Sequence, residues 1–306
     1  MNPVESSKPQ WGASYRLIAV EKWKMKSAAM GRAATDALVE YARPQQGMLV
    51  LDLASGTGEP GISLAGDVGP EGQVVAVDLS AELLEVARER GQQRGLSNFS
   101  TQQADAHALP FRDNTFNLAT CRFGVMFFAD TDKALREVHR VLRPGARACF
   151  LAWGPFEQPY WSSTMGVVVK RVGGPAIAPG SQDPFKFSTP GHLSTALRKA
   201  GFAEVEEETR TVPWTWPGTV EEVWEYGQSI SVPFRSLLER VPRHEWERVN
   251  ADVHAAIREY WDGSNVNFGA VLVFGSGKKL QPYRTQRVTA EKMQPRRPRS
   301  HTRKAL

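Results

Sequence analysis

The 306-residue sequence has two cysteines, six histidines and no run of about 18 apolar residues. Cys121 and Cys149 lie inside apolar, strand-like runs, which predicts buried small hydrophobes rather than a disulfide or a metal pair. No cluster of Cys and His has metal-ligand spacing, so no metal is expected. Without a long apolar run there is no membrane-spanning helix, and MNPVESSKPQ lacks the basic-then-apolar layout of a secretory signal. A cytoplasmic protein is expected. Excess positive charge is also missing from most of the chain. The net charge is +5, but residues 278–306 carry ten Lys or Arg against the single acid Glu291, which leaves residues 1–277 at −4. The tail reads as basic and disordered, and the composition of the remainder gives nucleic-acid binding no support.

What is present is organised around VLDLASGTGEPG, residues 50–61. An apolar run ends in Asp52 and gives way to Ala54, Ser55, Gly56, Thr57 and Gly58. A strand that stops in a small-residue loop before a helix leaves backbone N–H groups unobstructed, so the main chain can touch a ligand. Asp52, at the strand's carboxyl end, is expected to face the crevice where open α/β sheets bind ligands. Gly56, Gly58 and Gly61 also spell G-x-G-x-x-G, with Asp78 at the distance of a ribose-binding acid. The loop alone therefore leaves a dinucleotide, another nucleotide or bare packing open.

Strands at 74–77, 99–103, 116–121 and 147–153 alternate with helices at 62–65, 81–93 and 132–141, which predicts parallel pairing with right-handed crossovers. Ahead of them, Trp11, Tyr15 and Ile18 share a helix face within 11–30, and a second helix is expected at 30–41. That aromatic surface would serve as a lid, an oligomer contact or packing against its own domain. After Trp153 the pattern becomes loops at 154–161 and 173–190 around a helix at 162–172. A helix at 190–201, a strand at 204–212, helices at 220–238 and 244–261 and a last strand at 267–274 follow. The expected architecture is α/β, a seven-stranded, mostly parallel sheet with a helical cap. Its expected parts are an N-terminal helical extension (1–42), a cofactor-binding core (43–153), an acceptor-binding cap with the last two strands (154–277) and the tail (278–306).

Three carboxylates narrow the nucleotide. Asp52 beside the loop would repel a pyrophosphate and suits a ligand with a positive end. Asp78 ends the second strand, where it can hold ribose hydroxyls, and Asp105 follows the third, where it can accept from an exocyclic amine. A cationic amino-acid end, a ribose and an adenine make S-adenosyl-L-methionine.

On these residues the sequence resembles the Rossmann-like class I S-adenosylmethionine methyltransferases. LDLASGTGEPG looks like their first motif, VVAVDLS like the second, QADAHALPF like the adenine-side motif and EVHRVLRPGARACF like the closing helix-turn-strand. The combination is similar to the ubiquinone and menaquinone C-methyltransferase branch, with Ala54 standing where that branch often has Gly. The resemblance implies that Ala54, Ser55, Gly56 and Gly58 line the methionine and ribose portions, Asp52 sits by the amino group and Asp78 on the ribose. It places Leu79 against the adenine face, Asp105 with Ala106 on the adenine edge, and Arg122 and Phe123 at the methionine end. The product would be S-adenosyl-L-homocysteine.

The acceptor is described less well. Methyl transfer from a sulfonium needs positioning, and a base only when the acceptor must first lose a proton. His192 is the best-placed candidate base. Phe127, Phe156, Tyr160, Trp161 and Phe187, with Phe123, Phe128, Trp153 and Phe185, fall in segments expected to surround the mouth above the sheet. Such walls bury an apolar small molecule and stabilise cations. The aromatic extension and CRFGVMFF are similar to bacterial C-methyltransferases of teleocidin-type indole alkaloid biosynthesis. That likeness implies methylation of a geranyl alkene in secondary metabolism, followed by cation-driven terpenoid cyclisation. An O- or N-methyltransferase stays open, and a base or carboxylate such as His192 or Glu157 aimed at the acceptor would favour it. So does a protein that binds the cofactor without catalysis.

Overall fold

The computed structural model describes residues 14–230 and 232–281, and the side chains of residues 14–21 and of Lys24 lie outside that description. Trp11, the tail beyond Gln281 and the side chains of Tyr15 and Ile18 therefore fall outside the described residues.

Near-continuous apolar runs make the central strands, as a parallel sheet covered on both faces requires. These are β1 (Leu49–Leu53), β2 (Gln73–Asp78), β4 (Phe116–Arg122) and β5 (Leu142–Trp153), with β3 (Phe99–Gln103) at one edge. Two long strands, β6 (Ala203–Pro217) and β7 (Asn265–Lys278), complete a seven-stranded sheet of order β3-β2-β1-β4-β5-β7-β6. Pairing is parallel through β5, while β7 runs antiparallel to both neighbours. Chain order reverses between β1 and β4, so the crevice at their carboxyl ends is the topological switch point where such sheets bind ligands. This is the Rossmann-like sheet expected from the sequence.

Helices α2 (Gly61–Val68), α3 (Ala81–Gln93), α4 (Thr131–Val141) and α7 (His192–Lys199) are the crossovers. Ser80 caps α3 by accepting from Leu83 N at 3.2 Å, and Asp130 caps α4 by accepting from Lys133 N at 2.9 Å. No helix joins β3 to β4. The connecting segment 104–115 is instead gathered by Arg140, which donates to the carbonyls of Leu109 and Phe111 at 2.9 and 2.8 Å and to Asp113 at 2.8 Å. The cap consists of α5 (Pro159–Ser163) and α6 (Met165–Val172) after β5, with α8 (Val220–Ile230), α9 (Arg235–Glu239) and α10 (Trp246–Arg258) between β6 and β7.

Several boundaries differ from the sequence reading. The two expected N-terminal helices are one, α1 (Ser14–Ala42), because nothing breaks the chain near Met30. Its buried face, Trp23, Met30, Ala34, Leu38 and Tyr41, packs on the chain's own sheet, and Trp23 meets Trp216 edge-on at 5.4 Å. Residues 159–161, expected as loop, belong to α5, which has proline at its first turn. Strand β6 runs to Pro217 instead of stopping at Val212, since an edge strand tolerates Pro213. Strand β5 begins at Leu142, and a register shift between Phe116 and Leu118 absorbs the Pro144-Gly145 corner. Among the described residues no helix is long and apolar enough to cross a membrane, and no group of three His, Cys, Asp or Glu could hold a metal.

Candidate active site

The β1–α2 loop is built from both sides. Register pairs Asp52 of β1 with Thr120 of β4, and the Asp52 carboxylate accepts from Thr120 Oγ1 at 2.8 Å and from Gly61 N at 3.0 Å. It is fully buried, and burial pushes its carboxyl up to about 7 against the lowering effect of those two bonds. These two bonds account for the Asp52 carboxylate, which the sequence reading sets beside the cofactor's amino group. Asp52 thereby joins β1 to β4 and fixes the start of α2.

Asp78 is the carboxylate on the open side. One oxygen accepts from Gly56 N at 2.9 Å and the other from Ser80 N at 3.0 Å, while Ser55 N donates to Val77 O at 3.0 Å. The end of β2 thus holds the loop of β1, and each carboxylate oxygen keeps a lone pair for a diol. A Cβ added at Gly56, whose φ is +54°, would meet nothing within 4 Å, so the loop opens to free space there. Gly58, at φ +107°, is packed instead, since a Cβ would fall 2.5 Å from Ile62 Cδ1. Ser55 Oγ is buried without a partner in the loop, and Leu79 stands 52% exposed, a free apolar face beside Asp78. An unspent hydroxyl, an open glycine, a diol-holding carboxylate and an exposed aliphatic platform fit an adenosyl group.

Ala54 takes φ +50°. This left-handed conformation is costly for a residue with a Cβ, and explains why related loops often have Gly there.

Asp105 and Ala106 follow β3 and join the same edge, where Gln103 Nε2 donates to Leu79 O at 2.8 Å and Ala104 N to Asp78 O at 3.0 Å. Partial burial works to raise the Asp105 carboxyl, but bonds from the His107 backbone and ring hold it below its ordinary value. His107 was not picked out by sequence reasoning as a connector. Its Nδ1 lies 2.6 Å from Asp105 Oδ1, and its Nε2 accepts from Asp130 N at 3.1 Å, so Nδ1 carries the proton and the ring ties the Asp105 loop to the cap of α4.

The carboxyl end of β4 is tied to the N-terminal helix. Arg122 reaches back to α1, donating to Thr35 Oγ1 at 2.6 Å and to Gly31 O at 3.4 Å. A Cβ on Gly31 would stand 3.3 Å from the guanidinium, so the glycine makes room for it. Desolvation lowers the affinity of Arg122 for its proton, and its Nε is buried with no partner among the described residues. Phe123, at φ +61°, stacks on Trp153 at 4.9 Å and 20°.

Trp153 is the centre of an aromatic cluster. Trp161 and Trp214 meet it edge-on at 5.2 and 5.0 Å, and Tyr160 packs 4.7 Å from Trp161. Phe156 extends the cluster through Phe185 and Phe234 at 5.3 and 6.0 Å. The Nε1 groups of Trp161 and Trp214 are buried without acceptors among the described residues, and burial raises the Tyr160 phenol. Trp214 and Phe234 were missed from sequence because they come from β6 and the segment before α9. Gln158 was missed too; it anchors the cluster's loop to β7 by accepting from Val271 N at 2.8 Å and donating to Val271 O at 3.2 Å.

Not every expected residue joins this cluster. Phe127 is partly buried against the hydrophobic core, and its carbonyl accepts from Gln182 Nε2 at 3.0 Å. Phe187 and His192 line a separate groove between α4 and α7, and Glu157 is exposed. The expectation that His192 would serve as base at the acceptor is not matched, since α7 carries it to that groove, with Nδ1 3.3 Å from Lys186 O.

Residues 25–173 match the ubiE/COQ5 methyltransferase family. The ubiquinone/menaquinone biosynthesis C-methyltransferase UbiE of Escherichia coli O1:K1 is 35% identical over 182 residues, covering 55% of this chain and 71% of that protein. UbiE of Idiomarina loihiensis is 45% identical over 114 residues, 37% of this chain and 45% of that protein, so this match spans about half the relative's length. The fold resembles the YcgJ protein of Bacillus subtilis, with a TM-score of 0.53 at 20% identity over 81% of this chain and 98% of that one. It also resembles phosphoethanolamine N-methyltransferase 2 of Haemonchus contortus, with a TM-score of 0.54 at 20% identity over 89% and 59% of the two chains.

Proposed function

Since the chain belongs to the ubiE/COQ5 methyltransferase family, whose methyl donor is S-adenosyl-L-methionine, we propose that it methylates carbon in an apolar small molecule. The acceptor in this reading is a prenyl (geranyl) alkene borne by an indole alkaloid, and the enzyme works in the cytoplasm in secondary metabolism.

When bound, the cofactor supplies an electrophilic methyl group. The chain's own residues do the rest. Asp78 holds the ribose, Leu79 and Asp105 with Ala106 bracket the adenine, and Ala54, Ser55, Gly56 and Gly58 present backbone to the remainder. Asp52 fixes the start of α2 at the end of this loop. Arg122 braces α1 against β4, and Phe123 carries the path from the loop to the aromatic cluster.

The observation that carries the proposal is that cluster, in which Phe123, Trp153, Tyr160, Trp161 and Trp214 pack together at the carboxyl ends of β4 and β5 without a carboxylate or imidazole among them. Attack of an alkene on a methyl group leaves a carbocation on the acceptor. Ring faces stabilise a cation, and a surrounding without water or nucleophile lets it survive until it closes onto the indole. The positions of His192 in its groove and of Glu157 in solvent favour carbon over oxygen or nitrogen methylation. Incubation with methyl-labelled cofactor and prenylated indoles, followed by mass spectrometry, tests the reading: one labelled methyl per acceptor supports it, and label entering only phenols or amines overturns it.

A further inference from the structure

We propose that Lys186 is a site of Nε-acylation, taking its acyl group from an activated donor, a thioester or an acyl phosphate, that enters the groove between α4 and α7. The groove, about 360 Å³, is lined by Thr131, Asp132, Phe187, His192 and Lys199 as well as Lys186 itself.

The amine is held for reaction. Lys186 Nζ donates to Thr131 Oγ1 at 2.8 Å and to Phe128 O at 3.3 Å, and it stands 5.2 Å above the ring of Phe187. Both acceptors are uncharged, and no carboxylate among the described residues comes within ion-pair distance of the Nζ. Asp132, on α4, is taken by Lys199 of α7. Asp183, on the same loop, accepts from Phe185 N at 2.8 Å, and His192 of α7 faces the Lys186 carbonyl. A lysine usually stays protonated because water or a carboxylate solvates its charge, and here the residue is partly withdrawn from water with no carboxylate of the described residues at ion-pair distance. Burial accordingly lowers its proton affinity to about 8. A neutral amine whose two N–H bonds are fixed on acceptors has its lone pair at the one tetrahedral position left over.

In the transfer that lone pair attacks the donor's carbonyl carbon. The N–C bond forms, the C–S or C–O bond to the leaving group breaks, and the thiolate or phosphate departs with the proton that the nitrogen sheds. The product amide keeps one N–H and no charge, so it can no longer hold both Thr131 and Phe128. Those bonds tie residues 173–191 to the segment that follows β4, and Gln182 on Phe127 O is the neighbouring tie. Acylation would thereby loosen residues 173–191 from the segment that follows β4.

The full-length protein can be treated at about pH 7.5 with S-acetyl-N-acetylcysteamine or with acetyl phosphate, and each lysine's acetylation rate read by peptide mass spectrometry. Lys186 is expected to react at least about tenfold faster than Lys170 with one donor or both, and the preferred donor identifies the source. In urea the two rates should converge. A Lys186 rate no higher than that of Lys170 with either donor overturns the proposal. Limited proteolysis within residues 173–191 should quicken after acetylation, and an unchanged cleavage rate overturns the loosening.

Discussion

Ala54 and Gly124 exclude one another's side chains: a Cβ built on Gly124 would lie 2.4 Å from the Cβ of Ala54. One residue belongs to the β1–α2 loop and the other to the segment that follows β4, so the two segments touch where neither has room to spare.

Gly124→Ala is therefore expected to push the loop off its position and weaken S-adenosylmethionine binding about tenfold or more, as measured by calorimetry. Ala54→Gly in the same chain should restore part of the loss, the remainder being due to Cys121 Sγ, 2.8 Å from the same point. Unchanged affinity in Gly124→Ala would contradict the contact.

The burial of Asp52 gives a pH dependence. Unfolded, its carboxyl titrates near ~3.9, whereas folding pushes it up to about 7. Between those values the folded chain binds more protons than the unfolded one, so stability falls as pH rises through that window and the penalty is complete above it. From about pH 5 to about pH 7.5 this costs the cofactor-free protein roughly 2 to 3 kcal/mol. Asp52→Asn should lose less stability over the same interval in urea titrations. Equal losses in the two proteins would place the proton elsewhere.

Removal of the Asp78 carboxylate frees both Gly56 N and Ser80 N. Asp78→Ala is expected to raise the dissociation constant for S-adenosylhomocysteine by about ten- to a hundredfold, with Asp78→Asn intermediate. Affinity equal to wild type would remove Asp78 from the ribose.

For the acceptor half, Phe123→Leu keeps apolar bulk and deletes the ring face stacked on Trp153. If that face stabilises a cation, kcat falls about tenfold while cofactor affinity holds. A rise in KM alone would reduce Phe123 to a binding surface.

Much of the parallel half of the sheet was legible because buried parallel strands are apolar runs bounded by turn residues; residues 99–103 and 81–93 coincide with β3 and α3. The motif carboxylates were legible as strand-end residues. Their directions were not. The register partner of Asp52 is Ala76, so Asp52 stays within the sheet against Thr120, while Asp78, two residues further on, stands past the end of β1 and meets the loop. The partners of Arg122 on α1, of Gln158 on β7 and of Trp214 on Trp153 are tertiary, far apart in the chain, and no local spacing announces them. The place of His192 was illegible for the same reason, since a helix-terminal histidine goes wherever the helix docks.

Incubating the protein with ¹³C-methyl S-adenosylmethionine and a geranylated indole, then locating the label by nuclear magnetic resonance, tests carbon methylation most directly. The aromatic cluster predicts a methyl group on a former alkene carbon, accompanied by a new ring on the indole. A labelled methyl found on oxygen or nitrogen would contradict it.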